Sequence, residues 1–461
     1  MGRVFFLPVI TALALLVAGS AMGAAPLPPL QPLIDAASPG DIIQPLAGTY
    51  AGPVVITKPL TLDGQGKVTI DNGGEGAVIT IRGHGVTVQN LRLVNSGDQH
   101  NDIDAGVAVY GNSNVIKDNV IEECLFGISL QQSNNNVLRR NRISSQSDIG
   151  LGVRGDAIRL WYSKNNRIED NTITNSRDLV VWYSADNIIA NNTVRNGRYG
   201  LHFMYSRYNL VEGNTFAKNS TGIFLMYSDS VVVRKNRIIQ AQGAAGIGIG
   251  FKEASNLDIV DNEILYNGTG LYLDVSPFQP GTTNRIYRNT IAFNDVGVSF
   301  LNDWHGNLFK DNRFMNNIRH VSVSTFAGAN HNIWQGNYWD DYQGFDGNKD
   351  GLGDTPYRLN VYADRLWMDV PNAAFFKGSP ALGFLDFMER LAPFTDPLIM
   401  LEDDQPRIHK TFTPITLAKG DTNEGVRLHT FGLTTSADKA GTSMKRLDPF
   451  GLYTDKDKSD D

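Results

Sequence analysis

An asparagine followed two residues later by a large apolar side chain recurs ten times, and this recurrence constrains the fold more than any other feature of the chain. It stands at Asn119-Val120-Ile121, Asn141-Arg142-Ile143, Asn171-Thr172-Ile173, Asn192-Thr193-Val194 and Asn214-Thr215-Phe216. It continues at Asn236-Arg237-Ile238, Asn262-Glu263-Ile264, Asn289-Thr290-Ile291, Asn312-Arg313-Phe314 and Asn337-Tyr338-Trp339. Successive intervals are 22, 30, 21, 22, 22, 26, 27, 23 and 25 residues. A constant coil of about 22 residues with insertions accounts for them, and a repeat of this length means stacked supersecondary units.

Inside a coil the apolar residues alternate, as in Gly222-Ile223-Phe224-Leu225 and Gly270-Leu271-Tyr272-Leu273. Period 2 is the signature of strand rather than helix. A leucine-rich repeat would need leucines at several fixed positions and a helix, which are missing. The sequence therefore predicts an all-β fold, a right-handed parallel β-helix. Eleven or twelve coils at about 4.8 Å per strand make a rod of roughly 50–55 Å. A second column is expected five residues after the repeat asparagine, at Asn219, Asn267, Asn294 and Asn317, and four residues after it at Asn175 and Asn196. In the first of these coils the five-residue position is Cys124, read as a small buried substitute. It is the only cysteine of the chain, which excludes an intramolecular disulfide framework and a Cys-rich metal site.

Composition narrows the function classes. The chain has 461 residues, a formal net charge of −7 and 19% charged residues, so it lacks the basic footprint of a nucleic-acid binder. Residues 1–23 read as a secretory signal peptide: Arg3, an apolar run from Val4 to Val17, then small residues to Gly23. The expected location is periplasmic. An N-terminal cap with a short helix is expected over 24–45, the β-helix over 46–345 and an Asp/Asn/Gly loop over 346–357. A C-terminal capping region with a helix is expected over 358–395, started by Ser379-Pro380, and an extended, partly disordered tail over 396–461.

The Asn-rich coils, together with Asn337-Tyr338-Trp339-Asp340-Asp341-Tyr342 and Asp346-Gly347-Asn348-Lys349-Asp350-Gly351-Leu352-Gly353-Asp354-Thr355-Pro356-Tyr357, resemble the NosD family over roughly residues 30 to 395. The resemblance implies an exported accessory protein for maturation of the copper centres of nitrous-oxide reductase. It implies as partners an ABC-type transporter permease and its ATPase, a copper chaperone lipoprotein and the reductase itself, with membrane contact only through the transporter.

Four consecutive coils carry Leu160-Trp161-Tyr162-Ser163, Val181-Trp182-Tyr183-Ser184, Phe203-Met204-Tyr205-Ser206 and Leu225-Met226-Tyr227-Ser228. With Leu201, Phe203, Ile223 and Leu225 inward, His202, Met204, Phe224 and Met226 face outward. His202, Met204 and Met226 would then form a cluster of soft donors suited to transient Cu(I), with Trp161 and Trp182 excluding water. The bland reading is an apolar contact stripe, and copper handover would need such a surface too. Asp346, Asn348, Asp350 and Asp354 occupy positions 1, 3, 5 and 9 of a calcium-type loop with Gly351 at position 6. Position 12 is Tyr357, so the loop holds calcium or another hard cation, or is a turn closed by its own hydrogen bonds.

Weaker metal candidates are Asp98, His100, Asp102 and Asp104 in one insertion, and Met400 and His409 in the tail. His84, His305, His320, His331 and His429 fit surface or turn roles. A carbohydrate-binding or carbohydrate-processing β-helix, lyase- or epimerase-like, is the alternative. It would need close carboxylates on one outward face, and Asp340 and Asp341, being adjacent, would point to opposite faces of a strand.

Overall fold

The computed structural model describes residues 26–302, 304–323, 329–360 and 399–409, with isolated positions between 370 and 388. All belong to the first of two units, Met1–Lys410. The signal segment, most of the C-terminal helix, His429 and the tail from 410 onward lie outside the described residues.

The chain winds as a right-handed parallel β-solenoid of about thirteen turns. A coil consists of three short strands and three bends. One strand per coil builds a twelve-stranded parallel sheet running from Val54–Ile56 to Arg319–Val323. The other two build a twenty-six-stranded sheet. Its two faces are continuous because Thr61–Asp71 and Thr87–Val94 run unbroken around the bend that divides later coils. Equivalent apolar residues are in register: Leu201, Ile223, Ile249, Leu271, Val298 and Val321 lie side by side in the twelve-stranded sheet. All six are buried. The expected alternation thus becomes one continuous interior column.

The bends explain the asparagines. The residue before the repeat Asn is left-handed, as at Asp118 (φ +59°), Arg140 (+53°) and Asp170 (+56°); glycine takes the place at Gly213 (+67°), where that conformation costs least. Such a corner turns backbone N–H groups inward, where water cannot reach them. Each repeat Asn meets the need by donating its backbone N–H to the side-chain oxygen of the next Asn, at 2.8–3.2 Å from Asn119 through Asn312 to Asn337.

The second column is present at Asn267, Asn294 and Asn317, which are linked in the same way, and Asn219 accepts from Gly197. Asn175 and Asn196 do not join it. They are exposed left-handed corner residues with φ of +54° and +56°, and the buried positions of their coils are Ser176 and Gly197. A further ladder was not foreseen: Asn114, Asn136, Asn166, Asn187 and Asn209 stack at another bend. Cys124 is fully buried and burial pushes its thiol up to about 12, as a small packing residue requires.

The ends are closed by side chains imitating strands. The helix Gln31–Ala36 covers the first coil with Leu30 and Ile34. The Gln31 carboxamide pairs with Val55 as a strand would, accepting its N–H at 2.7 Å and donating to its carbonyl at 3.1 Å. At the far end, in the stretch expected as tail, Ile399–Asp403 is a strand antiparallel to Tyr357–Asn360. Asp403 terminates the long ladder: its buried carboxylate accepts from Asn337 N and Nδ2, both at 2.9 Å, from Gly336 N at 3.0 Å and from Trp339 Nε1 at 3.2 Å.

Candidate functional site

The outer face of the twelve-stranded sheet carries two adjacent columns over the same coils. One runs Arg159, Val180, His202, Phe224, Gly250; the other runs Trp161, Trp182, Met204, Met226, Lys252. Leu201, Phe203, Ile223 and Leu225 are fully buried on the opposite side, so the expected alternation holds through the candidate site. Gly250 is needed where it stands: a Cβ there would lie 2.6 Å from the Phe224 ring.

His202 faces outward yet is only 5% exposed, because neighbouring side chains roof it. Tyr199 stacks on its ring at a centroid distance of 4.7 Å, and Trp182 meets it edge-on at 5.7 Å. Burial drives its pKa down to about 4, with Asp178 opposing weakly, so the imidazole is neutral at neutral pH. His202 Nε2 lies 3.4 Å from Met226 Sδ, and Nδ1 is buried with no hydrogen-bond partner. That separation is within reach of an N–H···S hydrogen bond, and the two atoms face each other across adjacent coils. Met204 pairs with Met226 across the strand boundary. A neutral imidazole and two thioethers fit a soft monovalent ion. The set offers no anionic oxygen for a hard one.

The carboxylates nearest this face are in use. Asp156 and Asp178 are 1% and 2% exposed. Arg177 binds Asp156 at 2.9 Å, and Arg198 binds Asp178 through both nitrogens. Burial, partly offset by Arg177, brings Asp156 up to about 6. These groups are sequestered in ion pairs beneath the surface, not presented to a substrate.

Other expectations fare differently. Asp98, His100, Asp102 and Asp104 do not converge: His100 bonds the Val153 carbonyl and Asp104 caps Gln99 N. Met400 is fully buried in the core, which removes it as a ligand; His409 is exposed. In the 346–354 loop, Asp346 accepts from Asp350 N and Gly351 N, Asp354 from Gly347 N at 2.6 Å, and Asn348 donates to Asp350 at 3.0 Å. Tyr357, at position 12, stacks on Trp339 at 4.3 Å and is packing, not a ligand.

Among the described residues one set of three histidine and acidic side chains converges, and sequence reasoning missed it: His320, Asp340 and Asp341. The strand ends at Trp339, so the two aspartates lie in a turn, not on opposite faces. Both approach His320 Nε2, at 2.9 and 3.4 Å. Burial alone would lower the basicity of His320, but the two carboxylates outweigh it and raise it. The Asn317 oxygen is taken by Asn294, so its N–H₂ faces His320 Nδ1 at 3.3 Å and the proton sits on Nε2, toward the aspartates. The trio ties the strand Arg319–Val323 to the turn that follows Tyr338–Trp339.

Comparison with known proteins bears on the family and the fold. The profile described as "Periplasmic copper-binding protein (NosD)" matches residues 149–344, the coils that carry His202, Met204 and Met226. A right-handed β-helix profile matches 65–177. A Pseudomonas aeruginosa protein named "Probable ABC transporter binding protein NosD" is 34% identical over 389 residues, covering 78% of this chain and 89% of that protein. A Stutzerimonas stutzeri protein of the same name is 29% identical, covering 75% and 82%. Among solved structures, the A-module of the Azotobacter vinelandii mannuronan C-5 epimerase AlgE6 superposes with a TM-score of 0.51 at 17% identity, over 66% of this chain and 93% of that one. That likeness is one of fold. No helix among the described residues is long and apolar enough to cross a membrane.

Proposed function

The chain belongs to the NosD family, and from that premise we propose that it is a periplasmic accessory protein that binds Cu(I) transiently at His202, Met204 and Met226. In this reading it hands copper to nitrous-oxide reductase, receives it from a lipoprotein chaperone, and works docked on an ABC-type permease and its ATPase. The observation that carries the reading is the 3.4 Å approach of His202 Nε2 to Met226 Sδ beside Met204. That donor set stays deprotonated at neutral pH and favours the soft, reduced ion. Copper is cargo here, and the chain needs no catalytic group. The carbohydrate-processing alternative has less support, since Asp156 and Asp178 beside this face are buried in ion pairs and Asp274, further along the column, is paired with Lys252.

Competition titration of the mature protein with a chromophoric Cu(I) chelator tests the reading. One tightly held Cu(I), weakened at least about tenfold in His202→Ala and in Met226→Leu, is expected for the loss of one ligand of three. Unchanged affinity in both variants removes the site.

The loop of Asp346, Asn348, Asp350 and Asp354 is proposed to have a structural role and to accept a hard cation such as calcium. A rise in melting temperature on adding Ca²⁺ to chelator-treated protein, absent in Asp346→Asn, is the expected result. No rise leaves a turn closed by hydrogen bonds alone.

A further inference from the structure

Aromatic rings connect the candidate copper site to the molecular surface without a break. From His202 the path passes to Trp182 at a centroid distance of 5.7 Å, to Trp161 at 5.8 Å and to Tyr183 at 5.3 Å. There it joins a stack in which Tyr162, Tyr183, Tyr205 and Tyr227 lie 4.8, 5.1 and 4.8 Å apart, their planes within 12° of parallel. Tyr162 and Tyr205 are each 39% exposed. The stack by itself is ordinary packing of equivalent residues on successive coils. Tyr266 and Phe293 stack as closely at 4.9 Å, yet among the described residues no ring contact links that pair to His202. What distinguishes the tyrosine stack is its connection to the soft donors through two indoles.

We propose that this ring path is a protective outlet that carries oxidising equivalents away from the copper ligands to the surface tyrosines. The inference rests on Cu(I) being held at His202, Met204 and Met226. Reduced copper meeting hydrogen peroxide gives Cu(II), hydroxide and a hydroxyl radical within reach of two thioethers, which oxidation would convert to sulfoxides that no longer serve the site. The radical instead takes one electron from Trp182 and becomes a second hydroxide. Trp182 Nε1 is buried without a hydrogen-bond acceptor, so its radical cation has no base to receive the proton and passes the hole on. The hole reaches a tyrosine, whose phenol releases its proton to solvent and becomes a tyrosyl radical; that proton and the second hydroxide make water. Overall, Cu(I), H₂O₂ and one tyrosine yield Cu(II), one hydroxide, one tyrosyl radical and one water. Each Cu(I) yields one tyrosyl radical; a small external reductant returns Cu(II) to Cu(I), a second equivalent of peroxide gives a second radical, and two radicals on adjacent coils join through a carbon–carbon bond.

The test treats the Cu(I)-loaded protein, its copper content measured beforehand, with two equivalents of hydrogen peroxide and enough ascorbate to return Cu(II) to Cu(I) once. Peptide mass spectrometry and dityrosine fluorescence then locate the products. In the wild type, modification is expected on Tyr162, Tyr183, Tyr205 and Tyr227, with Met204 and Met226 still thioethers. Trp161→Leu breaks the path away from the ligands; dityrosine should fall at least about fivefold and sulfoxide appear on the two methionines. A Tyr162→Phe, Tyr183→Phe double variant keeps the stacked rings but lacks both phenols that touch Trp161, at centroid distances of 5.5 and 5.3 Å, and should shift damage to the methionines in the same way. Full copper content with the same product distribution in wild type and variants overturns the relay alone. Cu(I) affinity unchanged in both His202→Ala and Met226→Leu overturns the functional reading and the relay together.

Discussion

His202 shows what roofing a polar residue does. Its pKa in the fold is about 4, against a reference value of 6.5, so between those pH values the unfolded chain binds a proton that the folded chain refuses. Its contribution to stability is therefore complete above pH 6.5 and is lost as pH falls toward 4. The full effect is of order 3 kcal/mol, from 1.36 kcal/mol per pKa unit. Urea unfolding from about pH 4 to 7 should show this slope in the wild type and a flatter one in His202→Gln. The same neutrality means that protons do not compete with metal, so Cu(I) affinity should change little between about pH 5.5 and 8. Cys124 tests burial in another way. Its thiol, pushed up to about 12 by burial, should resist a thiol reagent in the folded protein and react once when denatured.

At the scale of the element, the asparagine ladder is the load carried by every corner. Asn214 donates its backbone N–H and side-chain N–H to Asn236, bonds the Ile189 carbonyl, and accepts from Asn192. Asn214→Ala leaves the buried Asn192 backbone N–H without its acceptor, while Asn192 Nδ2 keeps the Ile168 carbonyl. Chemical denaturation should register a loss of about 2–4 kcal/mol, whereas Asn196→Ala, at an exposed corner, should cost about 1 kcal/mol or less. The contrast separates a rung of the first column from Asn196, which the spacing placed in the second. What tells Asn196 from Asn219 is a single residue of offset: four residues after the repeat Asn lies the exposed left-handed corner, five residues after it the buried rung.

For the described unit as a whole, stability depends on closing the two ends of a sheet that could otherwise recruit further strands. Gln31 closes one end and Asp403 the other. Deleting 396–461 removes Ile399–Asp403 and bares the last rung at Asn337 and the indole of Trp339. Light scattering of the truncated chain should show self-association that the full chain lacks, and a monodisperse truncated monomer would sink this account.

Much of this was legible from residue order. The 22-residue period, the alternation that turns Leu201 and Phe203 inward and His202 and Met204 outward, the N-terminal cap and the buried nature of Cys124 all follow from local rules of spacing and side-chain direction. The family resemblance likewise rests on local motifs, the run Asn337–Tyr342 and the loop Asp346–Tyr357. The ladder through Asn114 and Asn136 was visible in principle as asparagines five residues before the repeat, but was not read. The closing of the ladder by Asp403, 66 residues beyond Asn337, had no local signal. Nor had the roofing of His202 by Tyr199, the meeting of Asp340 and Asp341 at His320, or the sequestering of Asp156 and Asp178 under arginines. Periodicity sets which face a side chain takes because strand geometry repeats every two residues. How deeply that side chain is covered, and by what, depends on coils that are distant in the chain and adjacent only once it has wound.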